Sequence, residues 1–380
     1  MRAQQRLQQL VREVARRRIA PAAADHRPGD EVPSELFALL AELDLLGLPF
    51  PAEDGGGDQP GTVVCDVLAE LSQAFLPVGL GAAAHLVGAA VVAAHAQPEL
   101  RAAVLPRLVA GEWLASFGFP PDVHRAPTAV DQLRADHDGG HYVLEGVATG
   151  VAHAGMADCF VLFCTTTQDG ADPLIALLVP ADTVGLGRPR SGSDPTSPVS
   201  AVRCSQVRIP VDHRLGVPQD GEEVAVEACD ASRVGVAACA VGLARAALQI
   251  AITCVRDHRA TVEAAYESAA ADGVAELATA VEAADALCQR AAAARDAGRD
   301  ASLLAAMASL AATDTAARVA ESAGRLASVA GWHDARPVAR YRQEATALQR
   351  VEGVHRAQVS HIAGQLVGER GRRADTCRRL

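Results

Sequence analysis

The hydrophobic periodicity of this 380-residue chain changes twice, and these changes limit the folds it can adopt. Residues 1–112, and the residues from 222 onward, carry apolar side chains three and four positions apart, as amphipathic helices do. Residues 116–216 instead carry short apolar runs separated by Gly, Pro and Asp, as strands do. The pattern therefore predicts an α+β protein in the order helices, β-domain, helices.

The same changes predict three domains. They are an N-terminal helical domain over 1–115, a middle β-domain over 116–220, and a C-terminal four-helix-bundle-like domain over 221–380. A chain of this length is too long for one compact core, so several packed layers are expected. Alanine is abundant and aromatic residues make up only 3% of the chain, which favours helices that pack closely through small side chains.

Individual segments predict particular elements. Helices are expected for E-L-F-A-L-L-A-E-L, T-V-V-C-D-V-L-A-E-L and E-L-R-A-A-V-L-P-R-L. Strands are expected for H-Y-V-L-E-G-V, C-F-V-L-F-C-T-T, L-I-A-L-L-V-P and V-S-A-V-R-C-S-Q-V-R-I-P, with a hairpin turn in D-H-D-G-G-H. The glycine run in P-A-E-D-G-G-G follows no strand and precedes no G-K-[ST], so it is interpreted as a loop between helices.

Charge and composition exclude several classes of partner. The net charge is −11, which argues against a basic surface for nucleic acid or anionic lipid. The nine cysteines lack metal-type spacing and several of them sit in apolar runs, as buried thiols in a reducing compartment would. His137 and His141 straddle a turn rather than sharing a helix face, so no metal site is expected. No signal peptide is recognised and no apolar run is judged long enough to span a membrane, which predicts a cytoplasmic protein without membrane contact.

Chemistry is suggested most clearly by Glu352 and Gly353, in a break between two helical segments near the C-terminus. A carboxylate beside a glycine can be kept from bulk water while the backbone passes close to a ligand. A general base needs that environment. An ordinary loop at the end of a helix has the same sequence appearance, so both readings stay open on these residues alone.

The stretch from Pro337 to Gln358 resembles the C-terminal signature of the acyl-CoA dehydrogenase family, R-Y-Y-R-D-A-K-I-T-Q-I-Y-E-G-T-S-x-I-Q. The identical positions are Arg340, Tyr341, Ala345, Gln349, Glu352, Gly353 and Gln358. The resemblance implies that Glu352 is the base that removes the substrate α-proton. Weaker similarity extends over nearly the whole chain and implies the family fold of helices, β-domain and helices.

A second match lies in D-A-S-R-V-G-V-A-A-C-A-V-G-L-A-R-A-A-L, where Asp230 and Arg233 are one helical turn apart and share a face. The family pattern D-x-x-R-x-x-x-A-A-x-A-x-G implies that the two side chains contact the coenzyme A part of the substrate. The alternative is an exposed i,i+3 ion pair of little energetic consequence.

The resemblance also implies FAD, although several of the family's flavin contacts differ here. The family's W-I-T/S aligns with Gly150-Val151-Ala152, which supplies neither the indole nor the hydroxyl. Its T-E-P aligns with Phe119-Pro120-Pro121. Its R-x-Q-F-G keeps Arg259 but continues into Val262-Glu263, and its Q-x-F-G-G-x-G keeps Gly331. The cofactor-binding positions are therefore predicted to be Gly150, Ala152, Arg259, Gly331 and Gln358.

The functional prediction is α,β-dehydrogenation of an acyl thioester carried by CoA or an acyl-carrier protein. Glu352 acts as the base and FAD accepts the hydride. Two alternatives keep the fold: a non-redox lyase or cyclase, and a non-catalytic partner subunit. Since the family's Arg259-type contact crosses a subunit boundary, a homo- or hetero-oligomer is expected. His153 and His355 are interpreted as surface or capping residues, with a proton shuttle as the alternative.

Overall fold

The structure is a computed structural model, and it describes residues 2–27, 30–118, 133–166, 174–187, 199–257, 264–329, 336–351 and 355–368. Helices make up the N-terminal part, a β-sheet follows, and long helices make up the C-terminal part. The α+β class and the order of its three parts are therefore confirmed. The domain boundaries at 115 and 220 stay predictions.

The N-terminal helices follow one another with short connections. They are α1 (Arg2–Val14), α2 (Ala20–Asp25), α3 (Ser34–Glu42), α4 (Gly61–Ala74), α5 (Leu76–His95) and α6 (Pro98–Val109), with a π-helical turn at Ala15–Ile19 and a 3-10 turn at Ala52–Asp54. The three helices predicted from sequence are α3, α4 and α6. The glycine run is the connection between α3 and α4, as predicted.

The described strands are β1 (Ala115–Phe117), β2 (Arg134–Asp138), β3 (His141–Ala152), β4 (Cys159–Thr165), β5 (Leu174–Pro180), β6 (Leu186–Gly187), β7 (Val199–Pro210) and β8 (Arg214–Leu215). They form one eight-stranded sheet of order β6-β7-β3-β2-β4-β5-β8, with β1 parallel to β4. The predicted hairpin joins β2 to β3, with Asp138 opposite His141. The four strands predicted from sequence are β3, β4, β5 and β7.

The position of strands β4 and β5 in the sheet explains why their sequences are apolar without alternation. Val161 of β4 belongs to the core shared with the helices, whereas Phe160 and Leu162 belong to a second core on the other face of the sheet. Leu178 and Leu177 of β5 divide in the same way. Because both faces of these strands are covered, a continuous apolar run is what each requires.

Five further helices complete the described chain. They are α7 (Gly221–Asp257), α8 (Ala264–Asp296), α9 (Ser302–Val329), α10 (Arg336–Val351) and α11 (His355–Val367). Small residues let α7 approach its neighbours closely: a Cβ atom at Gly242 would collide with the backbone of Ala69 on α4. Helix α7 contacts α4 and α5 of the N-terminal part, β5 of the sheet, and α8, α9 and α10, so it packs against all three parts.

Three helices are longer and more apolar than the sequence analysis allowed. By length and composition alone, α5, α7 and α9 could each cross a membrane, with mean hydropathies of 1.8, 1.8 and 1.2 over their most apolar windows. The expectation that no apolar run is long enough was wrong on this point. The windows are 83%, 61% and 56% buried inside the protein, so neighbouring elements cover much of their apolar surface.

The described cysteines are free thiols, and all of them except Cys229 are buried. Burial raises the pKa of Cys159 to about 12, and burial together with the carboxylate of Glu145 does the same for Cys204. Thiols held in the protonated form are poor nucleophiles and poor metal ligands. The prediction of buried cysteines is confirmed for the described cysteines other than Cys229. The described residues contain no group of three or more His, Cys, Asp or Glu side chains that could hold a metal ion.

Candidate functional site

Asp230 and Arg233 of α7 form a largely buried ion pair. Nη1 of Arg233 lies 2.7 Å from Oδ1 of Asp230, and the two side chains are only 17% and 10% exposed. The spacing of one helical turn, read from the sequence, gives this contact directly. The alternative reading of an exposed ion pair was wrong, because both groups have lost most of their contact with water.

Two residues that sequence reasoning missed extend this pair. Oγ of Ser302, the first residue of α9, donates a hydrogen bond of 3.2 Å to Oδ1 of Asp230. Nε2 of His361 on α11 lies 3.3 Å from the same Ser302 hydroxyl. Residues from α7, α9 and α11 thus meet in one polar cluster, which we call the carrier cluster: Asp230, Arg233, Ser302 and His361.

An apolar cleft lies beside the same stretch of α7. It encloses about 280 Å³ of empty space, part of it open to solvent. Its lining comes from α5, β1, β3, β7 and α7: Leu80, Ala83, Ala84, Phe117, Gly150, Ala152, Val199, Ser232 and Val236. Two predicted flavin positions, Gly150 and Ala152, thus lie in one cleft with Ser232, the neighbour of Arg233. Helix α7 therefore contributes residues both to the cleft and to the carrier cluster.

The local backbone explains why a glycine stands at position 150. Gly150 has φ of 71°, in the left-handed region that side chains disfavour. The pairing of β3 with β7 shifts its register between Ala148 and Val151, which marks a bulge. The buried Ser116 of β1 donates its hydroxyl to the carbonyl of Ala152 and holds the end of β3 in place. Gly150 therefore contributes backbone, without a side chain, to the cleft wall.

His153, directly after this strand, is a packed residue rather than a surface or capping histidine. Its Nε2 lies 2.8 Å from the carbonyl oxygen of Pro77, and its ring meets Phe37 edge-on at 4.9 Å. Burial lowers the pKa of His153 to about 4, against a smaller effect from the Pro77 carbonyl. A neutral histidine bonded to a backbone carbonyl has a structural role here, which argues against the proton-shuttle reading.

Gln358, a predicted cofactor position, lies in the interface between α11 and α9. Its side-chain nitrogen donates to Oγ of Ser309 at 3.2 Å, and the residue is 8% exposed. Ser302 and Ser309 lie seven residues apart on α9, and Gln358 and His361 lie three apart on α11. Two polar contacts on matching faces therefore fix α11 against α9.

A second buried carboxylate was also missed by the sequence analysis. Glu344 of α10 is 13% exposed, and its Oε1 lies 3.6 Å from Nε of Arg340. Burial raises the pKa of Glu344 to about 7, partly offset by the positive charge of Arg340. Arg340 also donates to the carbonyl of Ala23, which ties α10 to α2. The arrangement is a tertiary anchor between the chain's two ends, at some distance in sequence from the carrier cluster.

Several predicted site residues lie outside the described residues. They are the base Glu352 with Gly353, Arg259 with Val262-Glu263, Gly331, and Phe119-Pro120-Pro121. Their roles stay predictions. The helices on either side of Glu352, α10 and α11, end and begin at Val351 and His355.

The cleft lining tests whether the described residues fit a flavin. A flavin ring system needs an apolar slot with room against a backbone wall, and Phe117, Gly150 and Ala152 provide apolar surface of this kind. None of the residues lining the cleft carries a charge. The lining therefore suits the ring portion of FAD in its chemical character.

Comparisons with known proteins agree with these observations. The family model described as acyl-CoA dehydrogenase, N-terminal domain, matches residues 1–112, and the model for the C-terminal domain matches residues 219–367. Cyclohexane-1-carbonyl-CoA dehydrogenase of Geobacter metallireducens is 29% identical over 364 residues, covering 94% of this chain and 96% of that protein.

Solved structures show the same fold over nearly the whole chain. Glutaryl-CoA dehydrogenase in complex with glutaryl-CoA superposes with a TM-score of 0.87 at 26% identity, covering 98% of this chain and 97% of that one. Butyryl-CoA dehydrogenase from Megasphaera elsdenii superposes with a TM-score of 0.85 at 24% identity, covering 96% and 98%. The two family models together span most of the sequence, and the chain belongs to the acyl-CoA dehydrogenase family.

Proposed function

We propose that this protein catalyses the α,β-dehydrogenation of an acyl-CoA thioester, with FAD as its cofactor. The observation that carries the proposal is that one short stretch of α7, residues 230–236, contributes both to a polar carrier cluster and to the lining of an apolar cleft. A thioester of this kind has the same two parts: a polar carrier arm and an apolar acyl group. The named relatives act on such substrates, which favours a dehydrogenase over the lyase, the cyclase and the non-catalytic subunit.

Arg233 is the residue we assign to recognition of the carrier arm. One of its N–H groups is engaged by Asp230, and the others have no acceptor among the residues that the structure describes. Because the Arg233 side chain is still 17% exposed, its free N–H groups can donate to phosphate or amide oxygens of coenzyme A. Asp230 neutralises its charge and fixes its direction, so the cost of ordering the side chain is met before the substrate arrives.

The cleft is the place we assign to the reacting end of the substrate and to the flavin ring. Phe117, Gly150 and Ala152 would hold the ring, and α5 with α7 would cover the acyl group. An apolar lining excludes water from the reacting carbons, which strengthens every electrostatic interaction there. FAD, when bound, supplies the acceptor for the hydride that leaves the β-carbon.

Glu352 is the base in this proposal, on the strength of its position in the family signature. Its carboxylate takes the α-proton of the thioester and becomes a carboxylic acid. Displacement of water by the substrate raises the pKa of such a carboxylate toward that of the acidified α-carbon. The proton-transfer step then needs no other acid or base from the protein.

Assembly and location belong to the same proposal. We propose a cytoplasmic homo- or hetero-oligomer that assembles through the C-terminal helices, with CoA favoured over an acyl-carrier protein as the carrier of the acyl group.

The altered flavin motifs, Gly150 and Ala152 among them, predict that the chain purified alone holds less than one FAD per chain. Each missing hydrogen bond weakens binding by about 0.5 to 1.5 kcal/mol. Stoichiometric FAD in the isolated chain would contradict the need for a partner.

A panel of acyl-CoA thioesters, offered with excess FAD and an artificial electron acceptor, tests the proposed activity. We expect formation of the α,β-unsaturated thioester, detected by mass spectrometry as a loss of two hydrogens. Co-purification with related dehydrogenase chains from the same organism tests the heteromer. Hydration or rearrangement of a thioester without reduction of the acceptor would instead support the lyase or cyclase.

A further inference from the structure

We propose that Ser302 and His361 are positioning residues for carrier recognition: they fix the Asp230 carboxylate, and through it they orient the Arg233 guanidinium toward coenzyme A. The inference rests on the proposed function, because it assigns a substrate contact to Arg233. It adds residues from two further helices, 72 and 131 positions from Asp230 in sequence.

The direction of each hydrogen bond follows from the donors available. An ionised Asp230 carboxylate can only accept, so the single hydroxyl proton of Ser302 points to Oδ1 at 3.2 Å. The Ser302 oxygen can then only accept from His361, whose Nε2 lies 3.3 Å away and must carry the ring proton. The chain of bonds runs from His361 to Ser302 to Asp230, and it fixes the tautomer of His361.

The charge state of His361 is consistent with this direction. Burial lowers the pKa of His361, and the positive charge of Arg233 lowers it further against an opposite effect from Asp230. Near neutral pH the ring is therefore neutral and donates through Nε2 alone. A neutral ring leaves the charges of Asp230 and Arg233 balanced, and it adds no second cation that would compete for the carboxylate.

The place of Ser302 in the fold strengthens its hold on Asp230. Ser302 is the first residue of the 28-residue helix α9, where the helix dipole favours a nearby negative charge. The ion pair of Asp230 and Arg233 lies within one turn of α7 and, by itself, does not connect α7 to its neighbours. Ser302 makes that connection, so Oδ1 of Asp230 is held from two helices at once.

The function of this arrangement is to reduce the freedom of Arg233 before substrate binds. Arg233 has several rotatable bonds, and ordering such a side chain on binding lowers affinity. With Asp230 held, Nη1 of Arg233 is fixed at 2.7 Å and the other N–H groups point in a defined direction. Loss of Ser302 or His361 should therefore weaken carrier binding and leave the chemical step unchanged.

The test uses free coenzyme A as the probe and the full-length protein, with binding measured by calorimetry. Ser302→Ala and His361→Leu should each raise the dissociation constant about fivefold to tenfold, the size of a lost hydrogen bond. Ser302→Thr keeps the hydroxyl, and His361→Gln keeps an N–H donor, so both should bind coenzyme A nearly as tightly as the wild type. With an acyl-CoA substrate, KM should rise in the two disruptive variants while kcat stays unchanged.

A matched control is Thr313→Val, because Thr313 carries a buried hydroxyl on the same helix that donates to backbone carbonyls of α9. It should bind coenzyme A like the wild type. Should Ser302→Ala fail to fold, the comparison of His361→Leu with His361→Gln still decides the matter. Equal affinity across the folded variants would overturn the positioning role alone. Absence of coenzyme A binding by the wild type would overturn the proposed carrier itself.

Discussion

The candidate site has a polar end, the carrier cluster, and an apolar end, the cleft. The two ends are built in opposite ways although both use α7. The carrier cluster holds four polar side chains from three helices, fixed by hydrogen bonds between 2.7 and 3.3 Å. The cleft is lined by apolar and small residues from five elements, and its shape comes from missing side chains at Gly150 and from three alanines. Binding at the carrier cluster depends on the direction of its hydrogen bonds. Binding in the cleft depends on the volume available to the acyl group. Substitutions should therefore change affinity for the carrier at one end and selection of the acyl group at the other.

The largest effect is expected from a change at the proposed base, which acts on the substrate's reacting end. Glu352→Gln removes the proposed base, so kcat should fall by about 10² to 10⁴. Affinity for coenzyme A and stability should stay near the wild-type values, as steady-state kinetics, calorimetry and urea unfolding would show. Glu321→Gln, which removes a half-buried carboxylate on α9 that pairs with Arg342, is the control and should retain activity. Retained activity in Glu352→Gln would remove this residue from the mechanism.

The next effect tests the polar end. Arg233→Gln should weaken coenzyme A binding by about tenfold to a hundredfold, because a hydrogen bond from a charged group is lost. The matched control is Arg245→Gln on the same helix, since Arg245 pairs with Asp285 at 2.8 Å with comparable exposure. If both variants lose the same affinity, the effect comes from helix stability rather than from contact with the carrier.

The third effect tests the apolar end. Ala84→Leu adds volume to the cleft wall, so kcat/KM should fall about tenfold for bulky acyl groups and less for short ones. Binding of free coenzyme A should not change. Ala94→Leu, at an exposed position on α5, supplies the control. An equal loss for every chain length would indicate that the substitution displaces the flavin or distorts α5 instead of narrowing an acyl pocket.

The smallest effect lies outside both ends and concerns stability. Burial raises the pKa of Glu344 to about 7, above its value of about 4.5 in the unfolded chain. Between pH 4.5 and pH 7, Glu344 therefore keeps its proton in the folded state but has lost it in the unfolded state. The free energy of unfolding falls as the pH rises through this range. The full contribution is about 3 kcal/mol by linkage.

Urea unfolding of the Glu344→Gln variant at several pH values measures this contribution. Because glutamine does not titrate, the variant should lose less stability than the wild type between pH 5 and pH 8. His85 works in the opposite direction, since burial lowers its pKa to about 4 and stability falls as the pH drops below 6.5. Parallel stability profiles for wild type and variant would show that Glu344 is not protonated in the folded protein.

The comparison of the two ends also shows what the sequence could predict. Asp230 and Arg233 were found because their contact follows from helical spacing within a few residues. Ser302 and His361 were not found, because they lie 59 positions apart on different helices and no local sequence pattern indicates a hydrogen bond between them. The apolar strands β4 and β5 were found because their composition is visible in single segments.

Burial of single polar groups was the hardest property to predict. His153 follows a strand that ends at a bulge, and only the tertiary structure shows that its ring packs on Phe37. Glu344 lies in a polar segment of α10, yet its side chain is only 13% exposed, beside Arg340, which bonds to α2. Sequence patterns give the period of an element but not which neighbouring element covers it.

Anaerobic titration of the FAD-loaded protein with acyl-CoA thioesters tests the central claim most directly. Transfer of the substrate hydride reduces the flavin, so the visible flavin absorbance of the wild type should bleach in proportion to added thioester. The Glu352→Gln variant should bind the same thioester without rapid bleaching. Tight binding of both FAD and the thioester by the wild type, with the flavin remaining oxidised across the substrate panel, would contradict the dehydrogenase assignment.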